Sequence, residues 1–454
     1  MRTLTIVKDK DFYRKVLSIM LPVAMQQAIN MGVNMLDTMM LGSFGEIQLS
    51  ASSLANQYYN FFTIMCMGII GGSSVLSAQY WGANDKDKVR ETFSMAFRLA
   101  TAVAVFFMIL TLLIPSQIMS IYTNEVNVIE EGVKYLRITA FIFFFHGTSL
   151  VCAQLMRSVG KAKLGLYVSI VSFVVNILAN YTFIFGKFGA PRMEIAGAAL
   201  GTFFARLSEF IVTFVYILVI DKRLGLRVKH LMKNPSALFY KNYFRLGAPV
   251  LVSDGLLALG GNLVSVILGH MGAAVVAANS ICMVVDRLCT VIIQGVSNAS
   301  GIITGNTIGQ GDKKKAMEQG ETFYFLSIIF GIVSAVLVYI FGPMTISVYS
   351  LTEETIQVTR QLMNAYVVIV FFQAIQSVMT KGVLRGGGDT KFLMIADILF
   401  MWLVSIPLGA AGGLLLSWPA WLTMLALRAD YVIKSAWCVS RLLSGKWIHE
   451  TTKA

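Results

Sequence analysis

Charged side chains are scarce in this 454-residue chain: Asp, Glu, Lys and Arg together make 13% of it, about half the share of a soluble domain. Hydrophobic residues reach 56%, which excludes a water-soluble enzyme of two or three domains. Cysteine is rare too. Cys66, Cys152, Cys282, Cys289 and Cys438 lie in or beside apolar runs with no CxxC or paired spacing, so neither a disulfide framework nor a metal site is expected. His146 and His270 have no ligand-spaced partners, which argues against zinc and against histidine-dependent acyl transfer. No Walker motif is present, so ATP is not expected to drive the protein directly. The opening MRTLTIVKDKDFYRK lacks a short apolar core with a small-residue cleavage site, so no removed signal peptide is expected.

What fills the chain is apolar runs of bilayer length. Twelve helices are expected, at about 14–42, 52–80, 92–114, 128–155, 163–186, 195–220, 242–269, 275–305, 318–344, 357–382, 391–410 and 417–440. The net charge of +13 is no sign of nucleic acid, because the basic residues sit in short loops on one side. That side holds 27 Lys and Arg, against Lys187 and Arg192 in the opposite loops. The bias puts both termini in the cytoplasm, which requires an even number of helices. A multi-pass protein of the cell (plasma or inner) membrane is the expectation, with the lipid bilayer as its surroundings. No segment specifies an oligomer, so a monomer is expected.

Asp221–Arg245 is the longest polar connection and falls mid-chain. On either side the sequence repeats at a shift of 227: Pro22 with Pro249, Gly45 with Gly272, Gly68 with Gly295, Ser73 with Ser300, Gly82 with Gly309, and Asp85, Lys86, Lys88 and Glu91 with Asp312, Lys313, Lys315 and Glu318. At a shift of 228, Arg157, Gly160 and Lys163 match Arg385, Gly388 and Lys391. Apolar composition alone does not produce such register. The expected fold is an all-α integral membrane protein, with twelve transmembrane helices in two parallel six-helix lobes related by an internal pseudo-two-fold repeat. The expected divisions are an N-terminal lobe at 1–221, a cytoplasmic linker at 222–245 and a C-terminal lobe at 246–454. Parallel repeats of this kind rock about a central cavity in many transporters.

One carboxylate stands out. Asp37 lies in the apolar run VNMLDTMML, where an unneutralised charge costs several kcal/mol. The alternative is a helix-end carboxylate that reaches headgroup water. Its repeat partner is Val264, so the fold of the unit does not require it. Asp37 lies about 8 Å from the outer end of its helix, Asn180 about 9 Å from the end of the fifth, and Thr202 about 11 Å into the sixth. Asn176 shares a helical face with Asn180. Such an oxygen-rich set suits Na⁺ or a protonatable carboxylate, the competing reading being interhelical hydrogen bonds.

These residues carry a resemblance. The PV…D…G pattern of helix 1, the LMRSVGKAK and VLRGGGDTK ends of helices 4 and 10, the NxxxN of helix 5 and the GAALGT of helix 6 resemble the multidrug and toxic compound extrusion (MATE) family over essentially the whole chain. The resemblance implies that Asp37 is the cation-coupling residue, that Asn176, Asn180 and Thr202 line the same lobe, and that Pro22 bends helix 1. The chain departs from the pattern at Asn180, where archaeal members carry an aspartate. It departs again at Leu257 and Ala374, where another branch carries acids; Asp254 lies one turn before the first of these.

Among the other polar groups, Arg98, Arg206 with Glu209, Asp286, Arg287, Asp397, and Arg428 with Asp430 are expected to form structural ion pairs or to snorkel. Gln26, Gln27, Asp254, Gln373 and Gln376 are candidates for the substrate path, alongside some of the 24 methionines. The function expected is a secondary antiporter, not an enzyme, that exports small hydrophobic or cationic compounds in exchange for H⁺ or Na⁺. It needs no cofactor, and no metal beyond a possible Na⁺. A flippase for lipid-linked saccharides or cell-wall precursors is the alternative.

Overall fold

The computed structural model describes residues 5–42, 45–347 and 351–450; Arg2 and Lys453 of the charge count lie outside these. Among the described residues every regular element is helical. Nine helices have the length and hydropathy to cross a bilayer alone. They are α1 (Lys10–Gly42), α2 (Glu46–Gly82), α3 (Lys86–Leu113), α5 (Ala162–Phe185), α6 (Glu194–Val215, continued to Ile220), α7 (Ala237–His270), α9 (Lys313–Ile346), α10 (Glu353–Ser377, continued to Leu384) and α11 (Thr390–Asp397, continued to Leu415). Two more passes are bent pairs: α4 (Val126–Thr139 and Ile142–Ser158) turns by 55°, and α8 (Ala273–Cys289 and Val291–Gly309) by 49°. The twelfth, α12, is Ala420–Leu427 followed by Ala429–Leu443. Arg428, Asp430 and Lys434 interrupt its apolar character; Asp430 and Lys434 are buried, and Arg428 is half-buried.

Local chemistry explains the element ends. Asp85 and Asp312, repeat partners, cap α3 and α9 by accepting from the backbone N–H of Lys88 at 3.0 Å and of Lys315 at 2.9 Å. Gly45 and Gly272 hold φ of +129° and +120°, a backbone region that a Cβ disfavours. Two departures from the expected bounds have plain causes. α7 starts at Ala237 rather than near 242, because Ser236 accepts from the Phe239 N–H at 3.2 Å and begins the helix. α12 breaks at Arg428, whose φ of −115° and ψ of 13° leave the helical region.

The chain forms two compact units. One comprises Met1–Ala24, Ala78–Asn84 and Arg245–Ala454; the other comprises Met25–Ser77 and Asp85–Phe244. The start of α1 thus belongs to the first unit, where Phe12 packs on Phe323 with ring centroids 5.4 Å apart and Thr5 donates to Glu321 at 2.7 Å. The start of α7 belongs to the second, where Lys88 sits 5.3 Å over the ring of Phe239 and Tyr243 donates to the Ile69 carbonyl at 3.3 Å. Phe12 and Phe239 are themselves 227 residues apart. Within the first unit, a Cβ on Gly82 would overlap the carbonyl of Asn306, and one on Gly309 would overlap that of Gln79. Gln79 and Asn306 are again repeat partners, so the two helix ends cross by a reciprocal backbone contact that only glycine permits.

The C-terminal residues are tied into the first unit. Trp447 is fully buried, and a Cβ on Gly320 or Gly387 would press on its ring. Asp389, in the turn between α10 and α11, accepts from Arg441 at 2.7 Å and contacts His449 at 3.4 Å. Burial alone would raise the Asp389 carboxyl, but His449 and Arg441 outweigh it and hold the carboxyl below its ordinary value. The stability this pair contributes is therefore fully present above about pH 4, the unfolded value. It disappears as pH falls through the lower folded value. Melting curves of the wild type and of Asp389→Asn are expected to differ above about pH 4 and to converge as the pH falls below it. A difference that grows on acidification would contradict the assignment.

Candidate ion site

Four elements of the second unit, α1, α4, α5 and α6, meet at Asp37. α1 carries Asp37 near its last turn, while α5 presents Asn176 and Asn180 from successive turns of one face. Asn180 Nδ2 donates to Asp37 Oδ1 at 2.6 Å and to Asn176 Oδ1 at 3.3 Å, and Asn176 also hydrogen-bonds the Asp37 carboxylate. Both asparagines are 2% exposed or less. They reach this position because α6 is built from small residues where it faces α5. A Cβ on Gly197 would strike the Phe183 backbone, and one on Gly201 would overlap Asn180 Oδ1. That Oδ1, buried against Gly201, accepts no hydrogen bond.

Thr202 follows Gly201 and gives its hydroxyl proton to the Ala198 carbonyl at 3.0 Å. It also shares a hydrogen bond with Tyr135 of α4, a buried tyrosine within electrostatic range of Asp37. The structure therefore brings together all four residues that composition and depth singled out, and adds Tyr135. The depth argument applied to α4 points to this residue, nine positions along its pass.

One turn beyond Thr202 on α6, Arg206 donates to Glu209 at 2.6 Å and lies in electrostatic range of Asp37. The expected pair is present, but it is part of a larger set. Glu209 also accepts from Ser172 at 2.8 Å and contacts His146 Nδ1 at 3.0 Å. His146, which has no partner at ligand spacing in the sequence, thus finds one 63 residues away. Tyr59 lies beside both, its ring 5.6 Å from the His146 ring and tilted by 42°, and 5.9 Å from the Arg206 guanidinium. Each ionised group in this set has an opposite charge or several donors, which is what a low-dielectric interior requires.

The substrate-path candidates scatter. Gln26 accepts from Arg157 at 2.6 Å in the second unit, and Gln27 is exposed on α1. In the first unit, Asp254 is held by Arg385 through two contacts of 2.9 and 3.3 Å. Gln376 donates to Thr380 at 3.1 Å, and Gln373 bonds Asp286. Pro22 lies inside α1, a turn before the unit boundary at Ala24 and Met25.

Comparison with known proteins follows this plan. The family model MatE matches residues 22–182 and again 249–411, so its two matches begin on the paired prolines. A probable multidrug resistance protein NorM of Thermotoga maritima is 26% identical over 450 residues, covering 96% of this chain and 93% of that protein. The multidrug resistance protein MdtK of Yersinia pseudotuberculosis is 23% identical over 406 residues, covering 88% of each. Among solved structures, a MATE protein in its straight conformation superposes with a TM-score of 0.85 at 15% identity, over 97% of this chain and 99% of that one. One in the bent conformation gives 0.83 at 16%, over 96% of each. The duplicated twelve-helix plan and the two family matches lead to one conclusion: the chain belongs to the MatE family of membrane transporters.

Proposed function

We propose that the protein is a secondary antiporter that exports hydrophobic, often cationic compounds in exchange for H⁺ or Na⁺ by alternating access. The observation that carries this reading is the 2.6 Å hydrogen bond from Asn180 to Asp37 inside an apolar helix bundle. It makes Asp37 one member of an oxygen-rich set rather than a stray surface charge. The residues fit a monovalent cation: the Asp37 carboxylate, the Asn176 carbonyl oxygen and the Thr202 hydroxyl are hard oxygen donors, while Asn180 holds the Asp37 carboxylate through its amide N–H. The same carboxylate can take a proton instead, so the two ions compete for one group. The names of the NorM and MdtK relatives support drug efflux. The lobes at 1–221 and 246–454, the cytoplasmic termini and a bend at Pro22, which lacks the donor for an internal helix bond, complete the proposal.

The test is ethidium efflux from proteoliposomes under a pH gradient and, separately, a Na⁺ gradient. At least one gradient is expected to drive efflux. Failure of both with folded protein would exclude the antiport reading and leave the flippase. A finer outcome follows from the packing of α6 on α5. Gly201→Ala pushes the Asn180 carboxamide off Asp37, removing a charge-assisted hydrogen bond worth about 1.5–3 kcal/mol. The half-saturating concentration of the coupling ion is expected to shift by about tenfold or more. An unshifted ion dependence counts against a role for the Asn180–Asp37 hydrogen bond in ion binding.

A further inference from the structure

The segment that joins α6 to α7 forms a fixed surface outside the Asp37 site. From Lys222 to Arg245 the chain holds seven Lys and Arg and no Asp or Glu. Up to Phe244 it belongs to the second unit. Leu224, Leu226, Leu231, Pro235 and Phe239 are buried and anchor it beside the start of α3. Polar bonds fix its backbone there. Arg90 donates to the Leu224 carbonyl at 2.9 Å, Ser94 to that of Leu231 at 3.0 Å, and Arg98 to that of Met232. The Ser236 N–H donates to Glu91 at 3.3 Å.

The outer face combines two kinds of side chain. Lys222, Arg223, Arg227, Lys229, Lys233 and Lys241 are exposed. Asp221, the acid that precedes them, is buried and lies 3.7 Å from Lys161. None of the six forms an ion pair among the described residues. Set among them are Val228, Met232 and Leu238, which are 61%, 65% and 64% exposed. Val228 and Met232 stand four residues apart on one face of the short helix Val228–Met232. Arg227, Lys229 and Lys233 flank that face, and Leu231 is buried beneath it.

Topogenic bias accounts for the basic residues but not for the aliphatic side chains exposed among them. Those are stabilised only where an apolar medium lies beside them. The start of the segment supplies that setting, because α6 ends in the exposed aliphatics Val219 and Ile220 directly before Asp221 and Lys222. The field of the segment reaches His230. Burial, then Arg90, Lys229 and Arg227, hold its imidazole below the ordinary value against the opposing pull of Asp87. A basic run with interleaved aliphatic anchors at the end of a spanning helix is suited to anionic lipid. A nucleic acid would match the charge but leave Val228, Met232 and Leu238 in water.

We propose that the outer face of the segment 222–241 is a docking surface for the headgroups of anionic phospholipids. The lipid phosphates meet the ammonium and guanidinium groups, while Val228, Met232 and Leu238 enter the boundary of the acyl chains. Because the backbone is already fixed by α3, the surface is formed before the lipid arrives, and little ordering accompanies binding.

Fluorescence quenching tests this on the full-length protein in nanodiscs of mixed phosphatidylcholine and phosphatidylglycerol. The native cysteines are buried, so a bimane maleimide labels Met232→Cys, with Leu238→Cys as a second site should the first fail to fold. Phosphatidylglycerol spin-labelled near the headgroup is expected to quench about twofold or more better than equally abundant spin-labelled phosphatidylcholine. The excess should shrink as salt is raised and again in Lys229→Gln with Lys233→Gln. Equal quenching by the two lipids, or an excess unaltered by the glutamine variant, would overturn the proposal. So would a label that neither lipid quenches, which would mark a face open to water or to a soluble partner. Both leaflets of a nanodisc carry the same lipids and none of these readouts requires transport, so they are separable from the ethidium test.

Discussion

Asp37→Asn is expected to lower gradient-driven ethidium efflux to the rate of protein-free vesicles, while the purified protein keeps its size-exclusion profile. The substitution is nearly isosteric, so Asn176 and Asn180 retain a hydrogen-bonding partner where the 2.6 Å contact now stands. The repeat partner of Asp37 is the buried, apolar Val264, so the six-helix unit folds without a charge there. What the variant loses is the group that changes charge. Moving one charge through 100 mV supplies about 2.3 kcal/mol, and each pH unit supplies about 1.4 kcal/mol. A hundredfold substrate gradient costs about 2.7 kcal/mol. One or two coupled ions therefore suffice, and with none the gradient does no work on the substrate. Efflux at the wild-type rate under both gradients would remove Asp37 from the coupling step.

Lys434→Ala is expected to be the most damaging single change to the fold. Removing one member of a buried ion pair costs about 3–5 kcal/mol, because the partner is left as an uncompensated charge. Here Asp397 loses its 3.0 Å contact. The side chain is also one of the largest fully buried in the protein, so its truncation leaves a cavity with a further cost. The melting midpoint in detergent should fall sharply, with much of the expressed protein aggregated. A Lys434→Met and Asp397→Asn pair should recover a good part of the loss, since it fills the volume and removes the orphaned charge together. A single variant that melts like wild type would show that Lys434 and Asp397 are not coupled as described.

These two residues were legible to different degrees. Asp37 could be found because a lone carboxylate in a lipid-length run has no inexpensive explanation, and because the repeat supplies an internal control at Val264. Asn176, Asn180 and Thr202 followed from depth, which a straight helix converts directly from residue count. Lys434 went unnoticed, although its spacing of four from Asp430 is that of a helical pair. It lies inside the expected helix 417–440 and outside the count of loop charges, so neither hydropathy nor the charge bias singled it out. His146 escaped for the opposite reason: its partner Glu209 is 63 residues away on another helix, and no periodicity reports such a pairing.

The twelve passes and the duplication were set by the sequence alone. Water is absent from the bilayer core, so each backbone must satisfy its hydrogen bonds within its own helix, and length and hydropathy then suffice to count the helices. A repeat with the same caps at Asp85 and Asp312 and the same glycine turns imposes the same local geometry twice. Tertiary structure alone decided which polar groups meet. Asp254 is tied to Arg385, Gln26 to Arg157, and Asp430 to a shared lysine. It also decided that α1 and α7 each begin in one compact unit and end in the other. Those outcomes depend on how helices rotate about their axes and which small residues let them approach, as Gly201 does for Asn180. Hydrophobic content does not encode that rotation, because in lipid every face of a helix can be apolar.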